Sequence, residues 1–152
     1  MKSSLGGLLL GFTVFYGLVL VSFTAIQKSL TPDQLFEPAT FVPSDLMKAL
    51  SPIVIAIAAI LGGFTCAFIA GSRQPAYAFA GVLGALGVIT ILFTLTSAPN
   101  VPKPRLGDET PEVMMDQAQA HKPSFAIILE PVLAVAGVLF GSRLKRTPRI
   151  PR

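Results

Sequence analysis

Four apolar runs, each about as long as a bilayer is thick, constrain this chain more than any other feature. A helix needs roughly 20 mostly apolar residues to cross about 30 Å of hydrocarbon. Residues 5–26, 52–71 and 77–97 meet that requirement without a single charge, and 125–144 meets it with Glu130 and Arg143 inside. Closed membrane barrels alternate apolar and polar residues, and these runs do not, so helices are the only spanning option left. Only 13% of the residues are charged, against about 25% in an ordinary soluble domain, which again makes lipid the expected solvent. The expected fold is an all-α integral membrane protein of four transmembrane helices forming one domain over residues 1–152. The first run is longer than a signal-peptide core and is followed by no convincing cleavage site, so it is read as an uncleaved span.

Charge sets the expected orientation. Four spans place the N-terminus, the turn at 72–76 and the C-terminal tail on one side. That side holds Lys2, Arg73, Arg143, Lys145, Arg146, Arg149 and Arg152 and no acid. The opposite side holds Asp33, Glu37, Asp45, Asp108, Glu109, Glu112 and Asp116 beside five basic residues. Positive residues in short loops stay cytoplasmic, so both termini are expected inside, in a bacterial cytoplasmic (inner) membrane. Arg143, Lys145 and Arg146 then sit where anionic headgroups attract cations and hold the fourth span in place. No aromatic interleaving accompanies these basic residues, and nucleic acid is not an expected partner.

The two outer loops, 27–51 and 98–124, are too long for plain connections and are expected to hold structure of their own. Thr31-Pro32-Asp33-Gln34 reads as a capped helical turn, and Thr110-Pro111-Glu112 opens a second, amphipathic one through Met114, Met115 and Ala118. These signals also hint at a repeat. Thr31-Pro32 and Thr110-Pro111 share an offset with Leu50-Ser51-Pro52-Ile53-Val54 and Leu129-Glu130-Pro131-Val132-Leu133, and Gly62 falls on Gly141. Tandem duplication of a two-helix unit explains this, and so does chance recurrence of common membrane residues.

Helices in lipid gain little from hydrophobicity when they associate, so close approach through small residues matters more. Gly7 with Gly11, Ala59 with Gly63, and Gly137 with Gly141 supply such faces on the first, second and fourth spans, and Gly84 and Gly87 lie on the third. Glu130 is the intramembrane polar residue to single out. It shares a helical face with Ala134, Gly137 and Gly141, which turns its carboxyl toward protein. Such an acid costs about 2.5 to 3.5 kcal/mol at mid-span. Three roles stay open for it: ion or proton traffic, a bond to a neighbouring helix, or an N-cap if Pro131 begins the regular helix.

Several chemistries lack their residues. His121 is the single histidine and lies in a loop, which excludes paired axial ligands from the spans. No Cys/His cluster marks a metal site, Cys66 has no partner cysteine, and no nucleophile, base and orienting acid come together. The chain is therefore not expected to be an enzyme, and no cofactor is expected through its own ligands. The sequence leaves open whether lipid, quinone or pigment sits at subunit contacts. The expected role is a non-catalytic accessory or structural subunit of a larger membrane complex, by analogy an energy-transducing one, with other membrane subunits as partners. The alternative is a small oligomeric channel or transporter that uses Glu130.

Overall fold

The computed structural model describes residues 2–37, 40–96 and 124–144. These form five helices: α1 at Lys2–Ser29, a single turn α2 at Pro32–Leu35, α3 at Asp45–Ala70, α4 at Gln74–Thr96 and α5 at Ser124–Leu144. Four of them are long and apolar enough to cross a membrane. Large apolar side chains cover their outer faces, Leu20 at 67% exposure and Phe93 at 73% among them. Continuous surfaces of that kind are untenable in water and ordinary in lipid. The Thr110-Pro111 turn, His121, Lys145 and Arg146 lie outside the described residues.

All four long helices begin before their apolar runs, and α3 does so by the most. Ser44 is extended at the head of α3, and its Oγ accepts from Met47 N at 3.3 Å, so the helix starts at Asp45 and Pro52 falls inside it. Proline costs the helix one hydrogen bond, because the Lys48 carbonyl has no N–H four residues on to receive. α5 begins at Ser124 and likewise carries Pro131 in its interior. Glu130 is therefore not an N-cap, and that sequence expectation is corrected: the helix already runs before the proline.

Between α1 and α3 the chain folds on itself. Gln34 Oε1 accepts from Thr31 N at 3.0 Å and Ser44 Oγ donates to the Gln34 carbonyl at 2.6 Å, fixing α2 against the start of α3. Leu35, Phe36 and Phe41 bury themselves under this loop, with the two phenyl rings edge to face at 6.0 Å. Lys48 Nζ bridges Glu37 at 3.0 Å and Asp45 at 3.1 Å across its mouth.

α3 is the spine of the bundle. It packs most extensively on α5 and next on α1, while α4 leans on α5 and meets α1 and α3 more lightly. α3 and α5 run parallel, and small residues set their separation. A Cβ on Gly63 would strike the Val138 backbone, one on Gly141 would strike the Ile60 carbonyl, and one on Gly137 would lie 2.7 Å from Ala59 Cβ. α1 crosses α3 antiparallel in the same manner, with Gly7 against Ala70 and Cys66, and Gly11 against Cys66 and Gly62. Phe79 of α4 fills the centre, fully buried, with the Phe15 ring edge-on at 6.0 Å and the Phe12 ring at 5.6 Å. The turn from α3 to α4 is tight because Gly71 takes a left-handed conformation, φ 74°.

Candidate functional site at Glu130

Most of the close glycine contacts lie toward the end of the bundle that carries the α3–α4 turn. Toward the end carrying the long loops, α1, α3, α4 and α5 border an open cavity of about 330 Å³. Glu130 stands in its wall, about 9 Å of helix beyond Ser124. α1 contributes Phe15 and Tyr16, α3 contributes Ile55, α4 contributes Thr90 and Thr94, and α5 adds Pro131 beside the glutamate.

Glu130 is tied to the spine. Ser51 Oγ of α3 donates to Glu130 Oε1 at 2.6 Å, at the short end of the range for an O–H donor. Each partner precedes an interior proline, Pro52 and Pro131. The Pro131 ring presses against α4 at Gly87, where a Cβ would collide with it, so a glycine there lets the two helices meet. Proline at this position also leaves the Ile127 carbonyl, in the same wall, without its helical N–H donor.

Two hydroxyls of the wall turn back onto their own helix. Thr90 Oγ1 donates to the Leu86 carbonyl at 2.9 Å and Thr94 Oγ1 to the Thr90 carbonyl at 2.8 Å. Their hydrogens are committed to their own helix, which leaves oxygen lone pairs. None of the described lining residues is Lys, Arg or His. The rest of the surface is aliphatic or aromatic.

The other residues singled out from sequence serve packing or lie at the surface. Gly7, Gly11, Ala59, Gly63, Gly137 and Gly141 sit in the α1–α3 and α3–α5 contacts described above, and Ala59 is fully buried. Gly84 is in ordinary contact with Val135, at 3.6 Å from a built Cβ, and Gly87 meets Pro131. Arg143 is exposed in the last turn of α5. Sequence reasoning missed Ser51 as a partner of Glu130. The signal was present, since the two residues are 79 positions apart, the offset at which their flanking segments align. It also missed Ser142, which is fully buried and donates to the Leu139 carbonyl at 2.7 Å. Among the described residues no three His, Cys, Asp or Glu side chains gather in a way that could hold a metal ion.

Comparison with family models, with curated proteins and with solved structures finds no match for this chain.

Proposed function

We propose that this protein is a non-catalytic subunit of a larger membrane assembly, set in a bacterial inner membrane with both termini in the cytoplasm. One observation carries the assembly role. Among the described residues, Gly6 and Gly17 of α1 and Gly81 of α4 have nothing within 4 Å of a built Cβ, whereas the other glycines of the spanning helices sit against neighbours. Glycine weakens a helix by about 1 kcal/mol relative to alanine. Glycines on the outer face are best accounted for by another helix approaching there, since lipid alone does not require them. The segregation of Lys2, Arg73, Arg143, Lys145, Arg146, Arg149 and Arg152 from seven acids supports the orientation.

The test is extraction from native membranes in mild detergent, followed by native electrophoresis and mass spectrometry of the band. Migration with a fixed set of larger membrane proteins is expected. Migration alone, or as copies of this chain only, overturns the assembly role.

A second reading, a small oligomeric channel or transporter, is favoured by the cavity around Glu130. Glu130→Gln separates the two: reconstituted transport falls sharply under the second, while only assembly or stability changes under the first.

A tandem origin for the two halves accounts for a further set of facts. α3 and α5 begin at Asp45 and Ser124, with the same spacing as Ser51 and Glu130, and the two helices pack parallel and near that register. Two copies of a helix, loop, helix unit related by an axis along the membrane normal would pair their second helices in this way.

A further inference from the structure

We propose that the cavity at Glu130 is a one-sided aqueous vestibule. Water enters it from the face of the membrane that carries the long loops, reaches the carboxyl and goes no further. The inference goes beyond both roles proposed above and holds under either.

Polar groups stand where the cavity begins. Thr94 and Thr90 lie about 3 and 9 Å of helix inside the end of α4 at Thr96. Glu130 lies about 9 Å inside the start of α5, and the contact of Gly87 with Pro131 sets these antiparallel helices side by side at that level. Where the cavity ends, its lining includes Phe15, Leu83 and Ala134, all buried. Beyond them stand the fully buried Phe79 ring, edge-on to Phe15, and the backbone contact of Gly63 with Val138.

Water is the guest that satisfies this wall. Thr90 and Thr94 offer oxygen lone pairs, and Pro131 leaves the Ile127 carbonyl without its helical donor. A carboxylate has about four lone-pair sites, of which the Ser51 hydroxyl takes one. The Tyr16 hydroxyl donates as well as accepts. A wall that mixes acceptors with a donor suits a molecule that plays both parts, whatever further contacts Glu130 makes. An acyl chain in the same place would leave the Ile127 carbonyl and the Tyr16 hydroxyl facing hydrocarbon, where polar groups are costly. There is room, since the cavity measures about 330 Å³ and each water takes about 30 Å³. The vestibule gives the Glu130 carboxyl proton exchange with the aqueous phase on the loop side, while the packed core shuts off the other.

The experiment is thiol labelling of single-cysteine variants in sealed membrane vesicles of known sidedness. The background is Cys66→Ala, and the reagents are membrane-impermeant methanethiosulfonates of either charge. Thr94→Cys and Thr90→Cys line the cavity. Val88→Cys and Leu92→Cys lie at the same depth on the opposite face of α4, at positions 55% and 57% exposed. Asp33→Cys, exposed in α2, marks the loop side. With reagent on that side, the cavity pair should label at least about tenfold faster than the opposite pair, because the reacting thiolate forms in water and is excluded from hydrocarbon. With reagent only on the other side, none of the four should label. Cysteine is close to threonine in size, so the outcome does not hinge on a variant that fails to fold. The proposal is overturned if the cavity pair labels no faster than the opposite pair. It is also overturned if Thr94→Cys labels and Thr90→Cys does not, since water then stops short of Glu130. Labelling of Thr90→Cys from both sides overturns it in favour of a through-going channel.

Discussion

Replacing Gly63 with alanine isolates the energy of the α3–α5 contact. The added methyl would meet the oxygen, Cα and carbonyl carbon of Val138, all backbone atoms, with the Cα at 2.6 Å. None of these atoms can rotate away. Ordinary carbon contacts lie at about 3.5 to 4.0 Å, so α5 must retreat by about 1 Å. A gap of that size forfeits roughly a quarter to a half of each contact along the seam, including Gly137 against Ala59 and Gly141 against Ile60. Overpacking of this kind costs about 1 to 3 kcal/mol. Alanine also returns up to about 1 kcal/mol of helix propensity, which would blur the result if Gly63→Ala were measured alone. Gly81→Ala removes the ambiguity, because it makes the same change in a spanning helix where none of the described residues lies within 4 Å. Subtracting the two cancels propensity and leaves the steric cost, so Gly63→Ala should be the less stable by about 1 to 3 kcal/mol. The assay is unfolding by SDS in mixed micelles, followed by circular dichroism. Two variants agreeing within about 0.5 kcal/mol would show that the glycine contact does not hold α3 to α5.

Other outcomes follow from the same geometry. A double-mutant cycle of Ser51→Ala with Glu130→Gln should give a coupling of about 0.6 to 1.7 kcal/mol, from the average to the maximum found for polar contacts between membrane helices, read from the same SDS titrations. Gly71→Ala should destabilise the protein by about 1 to 2 kcal/mol, because the φ of 74° places a Cβ in a disfavoured conformation. Cys66 is fully buried beneath Gly7 and Gly11, so maleimide should leave it unlabelled in the folded protein and label it in SDS. Lys48→Met removes both ion pairs of the α2 loop and should speed hydrogen exchange at Glu37 N, which bonds the Val42 carbonyl at 2.9 Å.

The four spanning helices were legible because crossing hydrocarbon demands a run of apolar residues that few other structures need. Their ends were less so. Apolarity marks where lipid begins, whereas the helix begins where a cap satisfies it, and for α3 that is Ser44, outside the apolar run. Pro52 and Pro131 look like helix starts in one dimension and prove to be interior. Periodicity placed Glu130 on a protein-facing side, since the small residues that share its face mark the seam. That Ser51 would meet it, and that a cavity would open beside it, depends on how four helices are placed in space. No residue pattern along one helix carries that information.

The uneven packing of the bundle has a mechanical consequence. Gly63 and Gly141 clamp α3 to α5 by backbone contact near the α3–α4 turn, while beyond it, beside the cavity, the Ser51–Glu130 hydrogen bond joins them. The clamp acts as a fulcrum and α5 as the lever. About 12 Å of helix separates Val138 from Glu130 and about 21 Å separates it from Ser124. A splay of about 5° therefore moves Glu130 by about 1 Å and the end of the lever by about 2 Å. The Ser51–Glu130 hydrogen bond is 2.6 Å long and does not survive a stretch beyond about 3.5 Å. A splay of that size therefore releases the carboxyl from Ser51, and the vibrational frequency of that one group reports how far α5 has swung from α3.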